Sequence, residues 1–171
     1  MASLMQDLIT TLHQEVEEYE KLLELSKEKT PILVEGNIQK LQEITEEEQR
    51  RVDVINGVDK RREEIVKDIG NVLNKNPKEL TLLRLAELLH GQPEEQKELT
   101  ALHDKIKRVV HNVQTVNEQN QALVQQLLEM VSFDMTLVKS MKQAPETANY
   151  NKAAANTGEL FIGATRFDAK Q

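Results

Sequence analysis

Apolar residues recur at steps of three and four along most of this chain, the spacing of one face of a helix. The first such segment opens at Ser3, which forms a capping-box pattern with Gln6. Pro31 lacks a backbone donor and disfavours helical geometry before it, so this helix either ends near Lys29 or kinks and continues to Glu35. Its apolar positions are Met5, Leu8, Leu12, Val16, Tyr19 and Leu23.

A second helix is predicted from Ile38 to Ile69. Gly36 and Asn37 supply a left-handed turn residue and an N-cap before it. Gly70 is expected to close it. Asn56-Gly57 is a turn signal, but the pattern continues on both sides without a register jump, which favours one continuous helix. The apolar positions are Leu41, Ile44, Val52, Ile55, Val58, Ile65 and Ile69.

A connection over residues 71–80 should lead to a short helix from Thr81 to His90, ended by Gly91. Pro93 then suits the first position of a long C-terminal helix, because proline has no donor to lose there. Residues 94 and 95 are both glutamates, which oppose the positive end of the helix dipole.

The long C-terminal helix carries the strongest pattern in the chain, a heptad seam with Leu99 at an a position. It should run for about 48 residues, or roughly 72 Å. Eleven of its thirteen seam positions are apolar; the full set is Leu99, Leu102, Ile106, Val109, Val113, Val116, Asn120, Leu123, Leu127, Met130, Asp134, Leu137 and Met141.

The first two helices span roughly 45 to 50 Å each, so they cannot cover the whole of the long helix. From Leu123 to Met141 its apolar face is also wider than a two-helix seam requires, since the additional positions are Val124, Leu128, Val131, Phe133, Met135 and Val138. Two interpretations stay open. The wide face packs on the first two helices and the short helix together, or it binds a helix from another protein.

Two amides interrupt this apolar pattern. Asn120 lies at an a position and Asn117 at an e position beside it. An amide at an a position lowers stability while fixing register and partner number. Asn120 is therefore predicted to specify how the long helix pairs.

Composition predicts an all-α fold, because only five residues are aromatic and Gly and Pro are scarce. We expect an antiparallel three-helix bundle over residues 1–142 and a flexible tail over residues 143–171. The tail nevertheless holds Tyr150, Phe161 and Phe167, three of the five aromatic residues. These residues suit anchors in a partner's pocket. Alternatively, the "LFIG" segment folds back onto the bundle.

Charge and cysteine content exclude several classes of protein. The net charge of −7 argues against a nucleic-acid partner. The absence of cysteine excludes disulfides and thiolate metal sites. Neither a signal peptide nor a long apolar stretch for stable membrane insertion is present, so a cytoplasmic location is expected.

The residues give no support for catalysis. A carboxylate-bridged metal site in a helical bundle needs two Glu-x-x-His pairs, and only Glu87 and His90 have that spacing. No Gly-rich phosphate loop or activated nucleophile is apparent. We therefore expect no enzyme activity, no cofactor and no metal site.

Two segments and the tail resemble the FlgN family of flagellar export chaperones. The segments are "LVEGNIQKLQEITEEEQRRVDVI" at 33–55 and "TVNEQNQALVQQLLEM" at 115–130, and the tail carries Pro145 and Tyr150. The motifs are an Asn-x-x-Asn pair in the long helix and, in the second helix, Leu41, Ile44, Thr45, Glu46 and Glu47. Pro31 and the closing "LFIGATRFDAKQ" depart from the family pattern.

The resemblance implies a cytosolic chaperone that binds the amphipathic terminal helices of hook-filament junction (hook-associated) proteins. It would prevent their premature assembly and deliver them to the export gate and ATPase components of the flagellar type III apparatus. Tyr150 matches a family tyrosine that contributes to docking at the gate, and Phe161 and Phe167 are further candidate anchors. The candidate substrate-binding residues are Asn120, Leu123, Val124, Leu127, Met130, Val131, Leu137, Val138 and Met141.

A structural coiled-coil protein is the alternative. In that case the long helix pairs with a second copy of itself, and the chain is a homodimer. Heptads alone do not distinguish the two functions, because the same seam serves either partner.

Overall fold

The computed structural model describes residues 2–89 and 92–143, and all of the regular structure in them is helical. The elements are α1 (Ala2–Glu35), α2 (Ile38–Leu73), a 3₁₀ turn (Pro77–Glu79), α3 (Leu82–Leu88) and α4 (Pro93–Gln143). The predicted all-α class, with three long helices and a short one between the second and third, is confirmed.

Helix α1 continues through Pro31 to Glu35, which is the second of the two predicted outcomes. Because proline has no N–H, the carbonyl of Lys27, four residues earlier, lacks its helical hydrogen bond. Lys27 is exposed, so this carbonyl is open to water. Leu33, beyond the proline, is almost fully buried at 1% exposure. Burial of this side chain favours continuation of the helix past the proline.

The turn between α1 and α2 forms as the sequence predicts. Gly36 has φ +67°, in the left-handed region that glycine adopts without strain. The Asn37 side chain accepts a 3.0 Å hydrogen bond from the backbone N–H of Lys40, which caps α2. Helix α2 then passes Gly57 without interruption.

The prediction that Gly70 closes α2 is wrong. The helix runs on to Leu73 and ends at Asn74, whose φ of 53° is left-handed. Gly70 serves close packing instead: a Cβ added there would lie 3.0 Å from both the carbonyl oxygen of Lys75 and Cγ of Pro77. Glycine thus lets the chain after α2 fold back against the helix.

Helix α3 is shorter than predicted. Its N-cap is Thr81, whose hydroxyl accepts a hydrogen bond from the N–H of Arg84, and its last residue is Leu88. The predicted end at His90 and Gly91 falls outside the described residues. Leu85 and Ala86 point into the core.

The core forms two apolar clusters. The smaller contains Leu22, Leu23, Ile55 and Val113. The larger joins α1, α2, α3 and α4 through Met5, Leu8, Ile9, Leu12, Val16, Ile65, Ile69, Leu80, Leu85, Ala86, Leu89, Leu99 and Leu102.

Ion pairs give the helix directions. Nε2 of His13 lies 2.8 Å from Oε1 of Glu98, and Nζ of Lys105 lies 2.9 Å from Oε1 of Glu20. The residue numbers of these pairs increase in the same direction along α1 and α4, so the two helices are parallel. Pairs between α1 and α2 run in opposite order, since Lys29 meets Glu48 and Glu15 meets Arg62. The bundle is therefore up-down-up.

A carboxylate is buried between α1 and α2. Oε2 of Glu15 lies 3.0 Å from Nε of Arg62, although the contact does not have hydrogen-bond geometry. Burial raises the pKa of Glu15, Arg62 opposes that rise, and Asp59 adds to it. The pKa of Tyr19 is raised as well, first by burial and then by the charge of Glu15. This ionic group joins the two helices.

The chain divides into two compact units, Met1–Gln125 and Gln126–Gln171. The first contains α1, α2, α3, both apolar clusters and the larger part of α4. The described part of the second is the end of α4. The predicted division into a bundle of residues 1–142 and a tail of 143–171 stays a prediction, because residues 144–171 lie outside the described residues.

Candidate functional site

Burial along the heptad seam of α4 falls in steps. Leu99, Val109 and Val113 are buried, and so is Asn120 at 4% exposure. Leu123 and Leu127 are half-buried. The next apolar seam positions are exposed: Met130, Leu137 and Met141. One uninterrupted pattern in the sequence therefore contains a core segment and an uncovered segment.

Between residues 128 and 142 every side chain is exposed. Their exposure favours the interpretation that the wide face binds a helix from another protein. The large apolar side chains are Leu128 (60% exposed), Met130 (56%), Val131 (53%), Phe133 (67%), Met135 (57%), Leu137 (49%), Val138 (51%) and Met141 (67%). We call this set the α4 face.

The chemistry of the α4 face is that of an adaptable binding surface. It holds three of the five methionines and one of the three phenylalanines of the chain. Methionine is flexible and polarizable, which suits a surface that accepts more than one partner shape. Contiguous exposed apolar side chains are characteristic of interaction surfaces.

Charges are sparse in this part of α4. Residues 126–142 contain four charged side chains, Glu129, Asp134, Lys139 and Lys142. Asp134 is the one charged residue on the heptad seam itself. A partner that covered the α4 face would therefore have few charges to desolvate.

Asn120 lies in the first unit and is bound to α1. Its side-chain Nδ2 donates a 2.7 Å hydrogen bond to the carbonyl oxygen of Ser26. The hydroxyl of Thr30 donates a 2.7 Å hydrogen bond to Oδ1 of the same amide. Both ends of the amide are thus satisfied within the bundle. A buried amide in an apolar seam is explained by these two contacts.

The hydrogen bonds continue from α1 to α2. The hydroxyl of Ser26 donates to Oε1 of Glu48 at 2.9 Å, and Nζ of Lys29 donates to Oε2 of Glu48 at 2.7 Å. Together with Asn120 and Thr30 these residues form a polar layer that links all three long helices. Sequence periodicity located the amide but not its partners. The available signal was the polar pair Ser26 and Thr30, four residues apart in an otherwise apolar helix face.

The remaining predicted residues are distributed as follows. Asn117 is exposed and lines a groove of about 370 Å³ between α2 and α4. Val124 is exposed at 37% and belongs to the first unit. Tyr150, Phe161 and Phe167 lie outside the described residues.

Within the described residues, no group of His, Asp and Glu side chains is arranged to hold a metal ion. Instead, His13 pairs with Glu98 and His103 with Asp104. No helix in the described part of the chain is long and apolar enough to cross a membrane.

An exposed apolar face on a helix is the kind of surface on which amphipathic helices of partner proteins bind. The sequence model of one protein family, described as FlgN protein, matches residues 1–158. The chain therefore belongs to the FlgN family. No curated protein and no solved structure matches the chain.

Membership of the FlgN family gives the function. The protein is a flagellar export chaperone for hook-associated proteins, and it is not an enzyme. FlgN chaperones are cytoplasmic. The family match includes Tyr150 and ends before Phe161 and Phe167. The resemblance expected from the sequence is thus confirmed, and the closing segment that departs from the family pattern lies outside the match.

Proposed function

We propose that the α4 face, with Leu127 at its start, holds the amphipathic terminal helices of hook-filament junction proteins. Holding these helices would prevent premature assembly, because their apolar faces would be covered until export. The observation that supports the proposal is the exposure of eight large apolar side chains on the heptad-bearing helix.

The dimensions suit a helical partner. Residues 127–141 span roughly 22 Å of helix, or about four turns. Full burial of one large apolar side chain contributes about 1.5 to 3 kcal/mol. Because the side chains of the α4 face are about half exposed, each would contribute a fraction of this value. Several acting together still give useful affinity for a chaperone that must later release its cargo.

The residues near the start of the α4 face have different roles in this proposal. Leu123 and Val124 are partly exposed and are further candidates for contact with the substrate. Asn120 has both ends of its amide occupied by α1. We therefore assign Asn120 to holding α4 on the bundle, with no direct contact to the substrate.

Delivery is the second part of the proposal. The loaded chaperone docks in the cytoplasm on the flagellar export gate and its ATPase components, and Tyr150 contributes to that docking. The support is the family resemblance around Tyr150, which lies within the matched residues. Phe161 and Phe167 would be additional anchors for a partner in the tail.

Charge insertion into the α4 face tests the substrate site. Val131 and Val138 are exposed at 53% and 51%, so replacing both with Asp should not disturb a core. The matched control is Gln126→Asp with Thr136→Asp, two exposed polar positions of the same helix. Titration with a terminal-helix peptide of a hook-associated protein should show at least tenfold weaker binding for the valine variant. Equal binding by both variants would remove the α4 face from the site.

A second copy of the chain is the other candidate occupant of the α4 face, because the exposed seam positions Met130, Leu137 and Met141 would also pair with another copy of α4. Sedimentation over a range of concentrations distinguishes the two occupants. A monomer that forms a complex with the peptide supports the substrate site. A stable dimer that excludes the peptide would assign the α4 face to self-association.

A further inference from the structure

A groove of about 570 Å³ lies between the last turns of α2 and the chain that leads into α3. This volume is within the range of sites that bind small molecules or side chains of partners. No residue of α4 lines it. The lining residues are Arg62, Glu63, Val66, Lys67, Asn76, Pro77, Lys78, Leu80, Thr81 and Leu82. We call it the α2–α3 groove.

The floor of the α2–α3 groove is apolar and fixed. Leu80 is buried at 6% exposure and belongs to the larger core cluster. Val66 and Leu82 are half-buried and pack against the same cluster. The close approach of residues 75–77 to Gly70 brings the connecting chain against α2 and forms one wall. The groove is thus part of the folded core and not a gap beside a loose loop.

The rim of the groove is cationic. Lys67 and Lys78 are exposed, and neither forms an ion pair with a described side chain. Arg62 also lines the groove, although its guanidinium is already paired with Glu15 and Asp59. Glu63 is the one carboxylate in the lining. In a chain of net charge −7, a groove whose rim holds two unpaired lysines against one glutamate is a local reversal of sign.

We infer that the α2–α3 groove is a docking surface for an acidic segment of a partner protein that presents an apolar side chain between carboxylates. The apolar side chain would lie on Leu80 and Leu82, and the carboxylates would meet Lys67 and Lys78. Charge complementarity carries this choice, because Lys67 and Lys78 flank the apolar floor of the groove and attract carboxylates on either side of an apolar side chain. The groove shares no residue with the α4 face, and the inference does not depend on the function proposed for that face.

Two synthetic peptides test the inference on the full-length protein. One is a short fluorescent peptide of repeated Glu-Glu-Leu units, and the other has Lys in place of every Glu. The acidic peptide should bind and shift the methyl NMR signals of Val66, Leu80 and Leu82, whereas the basic peptide should not. Absence of binding, or equal binding of both peptides, would overturn the inference.

Charge reversal locates the binding. Lys67→Glu with Lys78→Glu should weaken binding of the acidic peptide at least tenfold. Replacing the same two lysines with Gln should weaken binding less. The control is Lys60→Glu with Lys107→Glu, which makes the same change in net charge at exposed positions outside the groove. An equal loss in the control would assign the binding to the general field and refute the site. Self-association that the Lys67 and Lys78 changes abolish would make a second copy the occupant, against the inference.

Discussion

The side-chain amide of Asn120 is joined to the main-chain carbonyl of Ser26 by a 2.7 Å hydrogen bond between α4 and α1. This contact fixes α4 on the bundle at one position along the seam. Beyond it, burial of the seam decreases, first at Leu123 and then at Leu127. The amide thus marks the last fully buried level of α4.

Replacing Asn120 with Leu should lower stability. Heptad position alone would favour the opposite, since leucine is the more stabilising residue in a seam. The hydrogen bonds reverse this expectation, because the change removes two 2.7 Å hydrogen bonds, one from Thr30 to the amide and one from the amide to Ser26, each contributing about 0.5 to 1.5 kcal/mol. Thermal melting measures the change, and Asn117→Leu, an exposed amide three residues away, is the control. A higher melting temperature for Asn120→Leu would show that these hydrogen bonds contribute no net stability.

Two glycines of α2 should respond to alanine in opposite ways. Gly57 has no atom within 4 Å of an added Cβ, so Gly57→Ala should stabilise the helix by about 0.5 to 1 kcal/mol. At Gly70 the added Cβ would meet a backbone oxygen and a proline ring, each at 3.0 Å. Gly70→Ala should therefore destabilise by about 1 to 3 kcal/mol. Urea unfolding of the two variants provides the comparison. Stabilisation at both sites would mean that the connection after α2 moves freely.

Glu18 should contribute to stability at neutral pH and not in acid. Hydrogen bonds from Lys21 and then Arg51 hold the pKa of its carboxyl below the ordinary value of 4.5. A group whose pKa is lowered by folding stabilises the folded state at pH values above its unfolded pKa. This contribution is lost as the pH falls through the folded pKa. Glu18→Gln should therefore cost roughly 0.2 to 1 kcal/mol at pH 7 and much less at pH 3.

The measurement for Glu18 is melting temperature against pH. Glu24→Gln is the control, because Glu24 pairs with Lys27 at positions that are both more than half exposed. The control should show a smaller change at pH 7. A loss for Glu18→Gln that is equal at pH 7 and pH 3 would assign its effect to packing instead of charge.

Tyr150→Ala should show whether Tyr150 acts in binding of the substrate or in docking at the export gate. Tyr150 follows the last seam residue, Met141, by nine positions along the chain. We expect nearly unchanged affinity for a terminal-helix peptide and weaker binding of the loaded chaperone to the cytosolic domain of the export gate. Asn149→Ala is the neighbouring control. If peptide binding weakens tenfold, about 1.4 kcal/mol, while gate binding is unchanged, Tyr150 belongs to the substrate site.

Much of the fold was predictable, because a long helix is indicated by the periodic spacing of apolar residues within its own segment. The N-cap at Asn37 and the continuous helix across Gly57 required only neighbouring residues. The errors came from tertiary packing. Glycine is a common residue at helix ends, which led to the wrong prediction for Gly70. Its role depends on a later segment of the chain that folds back onto it, and periodicity does not indicate such a contact.

The sequence predicts the wide apolar face of α4, but the exposure of each of its residues could not be predicted. The heptad spacing is the same from Leu99 to Met141, so the spacing alone does not distinguish the buried Val113 from the exposed Leu137. The widening of the apolar face after Leu123 was a local signal of a change. Likewise, the cationic rim formed by Lys67 and Lys78 joins residues from two elements, and the sequence around each is of mixed charge.

Methionine methyl NMR gives the most direct test of the central claim that the α4 face holds the substrate. Met130, Met135 and Met141 are exposed on that face, whereas Met5 is buried at 3% in the core and serves as an internal reference. On titration with a terminal-helix peptide of a hook-associated protein, the three α4 signals should shift and saturate together while that of Met5 stays in place. Peptide binding that leaves these three signals unmoved would contradict the account.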